Sequence, residues 1–158
     1  MKLQIVTPGA GQGNFSVYLA AMLNAMRASN MPTVGIQNPC GSDLVAVRTA
    51  GLISALRQNP THILWIDSDM VFPAHLAQHL LSHDKEVVGC NVVLKDFSGT
   101  HYATNSTVPN PDRSEQITSV GKSGLERVNR LGLGILMTKA EVYYKIKFPW
   151  FGHKWYFR

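Results

Sequence analysis

The sequence predicts an α/β fold in a single compact domain. With 158 residues, of which 45% are hydrophobic, the chain can bury one core but is too short for two ordinary domains. Short apolar runs alternate along it with stretches in which apolar residues recur at helical spacing. Because strands separated by helices usually join into βαβ units, we expect a mostly parallel central sheet with helices on both faces.

Strands and helices are predicted to alternate over residues 1–94. Pro8 and the glycines of PGAGQGN end the first strand, and Asn14 can cap the helix that follows. Ser42 or Asp43 can cap a second helix. The predicted strands are Lys2–Thr7, Thr33–Gln37, His62–Asp67 and Glu86–Leu94, and the predicted helices are Phe15–Ser29, a segment from the second cap to about Gln58, and Pro73–Ser82.

The rest of the chain changes character twice. Residues 95–124 are predicted to form a long polar loop, since they are rich in Ser, Thr, Asn and Pro and follow neither period. Residues 125–158 regain order, with two strands broken at glycines and a short helix at Thr138–Ile146. The single domain, residues 1–158, therefore consists of a βαβ part at 1–94, the polar loop at 95–124 and a C-terminal part at 125–158.

The charge pattern bears on the kind of partner. The chain has 15 Lys and Arg against 10 Asp and Glu, a net charge of +5 and a pI near 9.4, which favours a phosphate-bearing partner. Most of the cations are scattered singly, and only residues 127–130 and 145–158 concentrate them. A solvated surface is therefore a better interpretation of this charge than a nucleic-acid groove.

The patterns typical of secreted and membrane proteins are missing from the sequence. Cys40 and Cys90 form no CxxC pair, and the opening MKLQIV does not resemble a signal peptide. No window approaches the roughly 18 uninterrupted apolar residues of a membrane helix. We therefore expect a cytoplasmic protein with no membrane span.

Two aspartates follow the third predicted strand in the segment ILWIDSDMVFP. Ligands of open α/β sheets bind at the carboxyl ends of the strands, where Asp67 and Asp69 fall. Two such carboxylates are costly to bury without a cation, because they repel each other and lose hydration. On one side of an extended stretch they could share one Mg²⁺ or Mn²⁺ and leave positions for phosphate oxygens. The alternative is a turn that caps the helix beginning near Pro73.

Three other patterns support competing sites only weakly. The GxGxG of residues 9–13 lacks the spacing of a dinucleotide site, and the second strand lacks the acid that would follow it. The GKS of residues 121–123 lacks the first glycine of a P-loop. His75, His79 and His83 share one helix face and could bind zinc, but without an evident third ligand we favour ordinary exposed histidines.

Four segments in order resemble small GT-A-fold glycosyltransferases of phage and bacterial genomes, of the glycosyltransferase family 2 type. The segments are SDLVAVRTAGLISAL, THILWIDSDMVFP, HDKEVVGCNVVLK and RLGLGILMTKAEVYYKIKFPWF, and the resemblance runs from Lys2 to about Phe151. It implies a Rossmann-like GT-A fold, with a nucleotide-binding part at 1–94 and an acceptor side at 125–158. It also implies metal-dependent transfer of a sugar from a nucleotide-diphosphate-sugar to an acceptor hydroxyl.

The resemblance implies roles for the residues of the DxD segment and of the helix before it. Asp67 and Asp69, with Ser68 between them, would bind the donor diphosphate through Mn²⁺ or Mg²⁺, and Asp69 would be the more direct metal ligand. Arg48 matches an arginine that contacts the base or a phosphate, a role suited to its fixed fork of donors. The alternative for Arg48 is an exposed cation on a helix surface.

The resemblance also assigns residues at two other strand ends. Thr7 and Pro8 match the loop beside the base and ribose. Gly132 and Gly134 match a glycine-containing strand that lines the sugar or acceptor side, where absent side chains admit a ligand. The alternative for these glycines is a bulge or turn with no ligand.

The chain departs from the family after PWF. In the relatives an acidic pair follows and supplies the base of inverting transfer, and a later histidine joins the metal. Here the sequence reads FPWFGHKWYFR with no acid after Glu141, and His153 is too close behind PWF to be taken as that histidine. Asp96 or Asp112 could be recruited as the base, so the catalytic residue is left unassigned. The alternative function is a nucleotide-sugar-binding remnant that lacks its own base or depends on a partner.

The acceptor and the state of assembly stay open at this point. A glycan, a lipid, a protein and modified DNA are all compatible with the sequence as acceptors. The aromatic and basic WFGHKWYF segment would suit the interface of a homo-oligomer, an acceptor site or an ordinary packed terminus.

Overall fold

The computed structural model of the chain describes residues 1–9, 14–31, 33–92, 107–108, 115–116, 119 and 121–152. Most of the predicted polar loop at 95–124 and the end of the C-terminal aromatic segment at 153–158 lie outside these residues. The same is true of Asp96, Asp112 and His153, which were considered above as a base or metal ligand.

Strands and helices alternate among the described residues as far as β4, which confirms the predicted α/β class. Each strand and helix predicted within residues 1–94 is present, and most of them begin or end a few residues inside the predicted bounds. The elements are β1 (Leu3–Val6), α1 (Phe15–Ala28), β2 (Thr33–Gln37), α2 (Leu44–Leu56), β3 (His62–Ile66), α3 (Leu76–Ser82), β4 (Val87–Gly89), β5 (Thr107–Val108), β6 (Glu115–Gln116), β7 (Ile135–Lys139) and α4 (Val142–Lys145).

The central sheet has five strands in the order β2-β1-β3-β7-β4. β1 pairs in parallel with β2 on one side and with β3 on the other, as expected for strands joined by helices. β7 pairs antiparallel with both β3 and β4, so it is the one strand of this sheet that runs in the opposite direction. The sheet is therefore mixed, with a parallel centre, while β5 and β6 form a separate antiparallel pair.

The helix predicted at Thr138–Ile146 is wrong at its start. Thr138 and Lys139 extend β7, because Thr138 lies opposite Ile63 in β3 and opposite Val87 in β4. α4 is accordingly a single turn. The two strands predicted for residues 125–158 are represented by β7 alone in the described stretch 121–152.

Both faces of the central sheet are covered by helices, as predicted. Residues of β1, β3 and β7 alternate between the two faces, so each strand contributes to two separate cores. On one face, α1 and α3 pack over a core made of Leu3, Ile5, Phe15, Met22, Met26, Leu64, Ile66, Phe72, Leu76, Ala77, Leu80, Val88, Ile135 and Met137. On the other face, α2 and α4 pack over Val6, Leu52, Ala55, Ile63, Trp65, Leu136 and Tyr143. None of the helices in the described part of the chain is long and apolar enough to cross a membrane.

A buried polar cluster ties α4 to the middle of the sheet. The Trp65 indole Nε1–H donates to the Tyr143 hydroxyl at 2.8 Å, and Thr138 Oγ1 lies 3.1 Å from the same oxygen. Burial raises the pKa of Tyr143, so this hydroxyl stays protonated at neutral pH. Trp150 Nε1 donates to the Tyr143 carbonyl at 3.0 Å, and the Phe151 ring meets Trp65 edge-on at 5.5 Å. The cluster therefore holds residues 150 and 151 against the α2 face of the sheet.

We expect Tyr143→Phe to destabilise the protein by about 1 to 3 kcal/mol, because the buried Trp65 N–H would lose its acceptor. The free energy of unfolding, measured in urea, checks this. Tyr144→Phe is the matched control, since Tyr144 is 71% exposed and its substitution should change stability by less than about 0.5 kcal/mol. Equal stabilities of the two variants would contradict the assignment of the cluster.

Candidate functional site

The two aspartates lie in a tight turn directly after β3. The Asp67 N–H donates to the Gly134 carbonyl at 2.9 Å, which continues the β3 to β7 ladder by one step. The Met70 N–H then donates to the Asp67 carbonyl at 3.1 Å and closes residues 67–70, which we call the DSD turn. The expectation that Asp67 and Asp69 follow one side of an extended stretch is therefore wrong, because the ladder ends at Asp67 and the chain folds back.

The DSD turn does not cap α3 either. That helix starts only at Leu76, and its N-cap residue, His75, makes no side-chain cap hydrogen bond. The alternative in which the aspartates serve the following helix thus finds no support in the structure. Their carboxylates lie instead at the carboxyl end of a central strand, where open α/β sheets bind ligands.

Arg48 reaches the DSD turn from α2. Its Nη2 lies 3.1 Å from Asp67 Oδ1 and 3.2 Å from Oδ2, with the arginine side chain 19% and the aspartate side chain 30% exposed. Asp43 fixes the start of α2, since its Oδ1 accepts from the backbone N–H groups of Val45 and Ala46. Arg48 is therefore not the exposed helix cation considered as the alternative. Its guanidinium places a positive charge on the carboxylate that ends β3.

The Arg48 side chain is only partly satisfied by this contact. Its Nε is buried and has no hydrogen-bond partner among the described residues. Buried donors are normally paired, because an unpaired donor loses its hydrogen bonds to water and gains none in the protein. Arg48 Nε is therefore an unpaired donor next to the DSD turn.

The loop after β1 touches the DSD turn. Gly9 has a φ of +101°, and a Cβ at this position would lie 2.8 Å from Ser68 Oγ. Glycine is needed here for two reasons, the left-handed backbone and the close approach of the Ser68 side chain. Thr7 and Pro8 precede it, and both are buried. The structure thus brings these two predicted residues to the same end of the sheet as Asp67.

The loop after β2 joins the same end of the sheet. Gly9 N–H donates to the Pro39 carbonyl at 3.0 Å, and Thr7 N–H donates to the Gln37 carbonyl at 2.8 Å. The Asn38 amide is assigned with its nitrogen toward the β1 loop, because carbonyl oxygens face it there, and in this orientation it donates to the carbonyls of Thr7 and Gly9 at 2.8 and 2.5 Å. Sequence reasoning missed Asn38. The available signal was a short polar side chain immediately after a strand, which commonly bonds neighbouring backbone.

The two predicted glycines before β7 differ in position. Gly134 supplies the carbonyl that binds Asp67, and a Cβ on it would lie 3.2 Å from Val92 Cγ2 and 3.5 Å from Met70 Sδ. It therefore packs against the DSD turn. Gly132 lies two residues earlier, outside the strand, and is partly exposed.

A cavity of about 380 Å³ opens beside Arg48. Its walls come from the first turns of α2 and from the C-terminal segment, and its lining residues are Leu44, Val45, Arg48, Trp150, Phe151 and Gly152. The cavity is a depression that is widely open to solvent. The sequence signalled one wall through the PWF segment, but nothing in it indicated that α2 would be the other.

The donor chemistry at the DSD turn suits a divalent ion. Carboxylates are the ligands that Mg²⁺ and Mn²⁺ prefer. In the structure the Arg48 guanidinium, itself a cation, is bound to one of the two carboxylates, that of Asp67. Within the described residues, no group of three His, Cys, Asp or Glu side chains could hold a metal. Mg²⁺ commonly completes its coordination with water or with phosphate oxygens, so two carboxylates suffice as the protein's share of such a site.

The remaining titratable candidates do not extend this site. His75, His79 and His83 stack edge-on with ring centroids 6.4 and 4.8 Å apart, and the described residues add no further metal ligand to them. Burial raises the pKa of the Cys90 thiol, which keeps it protonated and poorly nucleophilic at neutral pH.

Comparisons of the chain with protein families, with curated proteins and with solved structures found no match.

We expect Gly9→Ala to destabilise the protein by about 1 kcal/mol or more, from backbone strain and from the clash with Ser68. Urea unfolding measures the change. Adding Ser68→Ala should recover the steric part of the loss but not the backbone part. Gly152→Ala is the control, because a Cβ there would meet no neighbour within 4 Å among the described residues. A Gly9→Ala protein as stable as this control would contradict the close packing of the two loops.

We expect the Arg48–Asp67 pair to show a coupling energy of about 1 kcal/mol in a double-mutant cycle with Arg48→Met and Asp67→Asn. The half-buried position of the pair is the reason, since solvent screens it incompletely. Unfolding free energies of the four proteins give the coupling. The Lys122–Glu126 pair, at 3.8 Å and with both side chains about half exposed, should give a coupling near zero. Equal coupling energies for the two pairs would contradict the expectation that partial burial strengthens the Arg48–Asp67 pair.

Proposed function

We propose that the chain is a metal-dependent glycosyltransferase of the GT-A type, which transfers a sugar from a nucleotide-diphosphate-sugar to an acceptor hydroxyl. The observation that carries the proposal is the meeting of the loops after β1, β2 and β3 at one end of the sheet, with Arg48 and the DSD turn at its centre. Open α/β sheets bind their ligands at this end.

The proposed diphosphate site lies beside the contact between Arg48 and the DSD turn. Arg48 offers a planar fork of donors that matches phosphate oxygens. Asp69, together with Asp67, would hold Mn²⁺ or Mg²⁺, and the ion would offset the negative charge that grows on the leaving nucleoside diphosphate. Ser68 would lie beside the same phosphates.

The nucleoside and sugar are assigned to the flanks of this centre. Thr7 and Pro8 would lie beside the base and ribose, because the β1 loop that follows them packs on the DSD turn. Gly132 and Gly134 would border the transferred sugar on the β7 side. An acceptor hydroxyl would attack the anomeric carbon there, and the leaving group would stay bound to Arg48 and the aspartates.

A second function, nucleotide-sugar binding without transfer, is favoured by one observation. Glu141 is the last acidic residue of the described stretch 121–152, and it is already paired with Lys145 at 3.3 Å next to α4. Inverting transfer needs a base that removes the acceptor proton. In this alternative, a partner protein or a second copy of the chain would supply the base, or no transfer would occur.

The biological setting follows from the same proposal. We place the protein in the cytoplasm, where nucleotide-sugars are available, and in a phage or bacterial context. A glycan, a protein or modified DNA would serve as the acceptor, and the net charge of +5 is compatible with DNA. A homo-oligomer is a further part of the proposal.

We expect UDP or GDP to bind in the presence of Mn²⁺ and to lose at least about tenfold in affinity in Asp69→Asn. Calorimetric titration with and without Mn²⁺ measures both effects. Asp84→Asn is the matched control, because Asp84 pairs with Lys139 at the opposite end of the sheet and has a positive φ that asparagine tolerates.

Two results of this titration would count against the proposal. Binding of neither nucleotide under any metal condition would remove the donor site. Equal affinity of the Asp69→Asn and Asp84→Asn proteins would remove the DSD turn from it. Metal-dependent binding without sugar transfer to any acceptor would favour the binding-only alternative.

A further inference from the structure

We propose that Arg48 makes metal binding at the DSD turn depend on the nucleotide diphosphate, by occupying Asp67 until a phosphate takes its place. The inference rests on the proposed function, because it concerns the same ion and the same diphosphate. It goes beyond that function in assigning Arg48 two alternative partners and in predicting how the two ligands influence each other.

Arg48 already occupies the carboxylate that an ion would bind. A single nitrogen, Nη2, lies within 3.2 Å of both carboxylate oxygens of Asp67. An ion that binds this carboxylate therefore meets a guanidinium already in place. Two cations within a few ångströms of each other repel strongly in a partly buried site, so one of them must leave or be screened.

The charges of the three side chains point the same way. Asp67 and Asp69 bring two negative charges to the turn, and Arg48 returns one positive charge. Arg48 therefore cancels part of the negative charge that would otherwise attract a divalent ion arriving alone, which weakens the attraction. A diphosphate adds negative charge that neutralises both cations at once, so the ion and the nucleotide should each favour the other's binding.

Arg48 has an unpaired donor that a phosphate could satisfy. Its Nε is buried and has no partner among the described residues, while Nη2 is bound to Asp67. The Nε and Nη2 hydrogens point in parallel from one edge of the guanidinium, which suits two oxygens of one phosphate. If the guanidinium moved from Asp67 to a phosphate, both Nε and Nη2 would donate hydrogen bonds, whereas Nη2 alone of these two donates to Asp67.

The structure leaves room for this movement. Arg48 lines the cavity of about 380 Å³ that also touches Trp150 and Phe151. The C-terminal segment that carries these rings is held in place by Trp65 and Tyr143, so the far wall of the cavity is fixed. Arg48 therefore borders open space on the side of α2 and the C-terminal segment, and a phosphate can approach it there.

The coupling must be reciprocal, because both ligands bind the same protein. If UDP tightens Mn²⁺ binding by some factor, Mn²⁺ tightens UDP binding by the same factor. Arg48 sets that factor in two ways, by weakening the metal site when no nucleotide is present and by binding the phosphate when one is. Its removal should therefore strengthen metal binding alone and weaken the coupling.

Mn²⁺ binding followed by electron paramagnetic resonance tests the inference without any measurement of activity. In Arg48→Met, the affinity for Mn²⁺ alone should rise at least about fivefold, and the tightening caused by saturating UDP or GDP should shrink at least about fivefold. In Arg48→Lys, which keeps the charge but loses the fork, Mn²⁺ alone should bind as in the parent while the nucleotide effect shrinks.

Arg57→Met is the control for removal of a positive charge, since Arg57 is exposed at the opposite end of α2. It should leave both Mn²⁺ affinities unchanged. Circular dichroism and the melting temperature of each variant establish that it is folded. Because Arg48→Lys retains a cation beside Asp67, it keeps the test usable even if Arg48→Met unfolds.

The outcomes separate this inference from the proposed function. Unchanged or weaker Mn²⁺ binding in folded Arg48→Met would overturn the inference, as would an undiminished nucleotide effect in both Arg48 variants. If Asp69→Asn still abolishes metal-dependent nucleotide binding in that case, the proposed function stands. If Asp69→Asn changes nothing, the proposed function fails, whatever the Arg48 variants do.

Discussion

The Arg48–Asp67 ion pair explains how a strand buried on both faces can end in a carboxylate. β3 packs against cores on both sides, so the chain leaves a dry interior at Asp67 with a negative charge that water reaches only in part. The guanidinium from α2 compensates that charge, and the Asp67 N–H bonds the Gly134 carbonyl of the neighbouring strand. A helix, a central strand and the reversed strand are thereby joined at one residue. The geometry of the whole sheet end depends on this junction.

The other features of the site are arranged around the same junction. Gly9 brings the β1 loop onto Ser68, and Asn38 and Pro39 bind that loop from the β2 side. On the opposite flank, Trp150 and Phe151 face α2 across the cavity beside Arg48. A compact group of polar backbone, two carboxylates and one arginine results, bordered by an aromatic wall. Such a group is suited to a ligand with an anionic part and a flat or apolar part, which is the chemistry of the proposed nucleotide-sugar.

Much of the site could be predicted from the sequence, because it lies where local patterns change. Asp67 and Asp69 are recognisable as the end of the apolar run HILWI, and Pro8 and Gly9 as the stop after the first strand. What could not be predicted was the partner of each group. Arg48 is separated from Asp67 by 19 positions, and its distance from the carboxylate depends on how α2 lies on the sheet. The DSD segment was expected to be extended, but the competing hydrogen bond from Met70 closes it into a turn.

The sequence by itself determined the α/β class, the order of the elements in residues 1–94 and the carboxylates at the end of β3, because hydrophobic period and turn residues are local properties. Only the tertiary structure decided that β7 runs antiparallel between β3 and β4, that Thr138 belongs to this strand, and that α2 and the C-terminal aromatic residues face each other. These features depend on contacts between residues far apart in the chain. A run such as ILMTK forms a strand equally well in either direction, so its direction is set by the neighbours against which it packs.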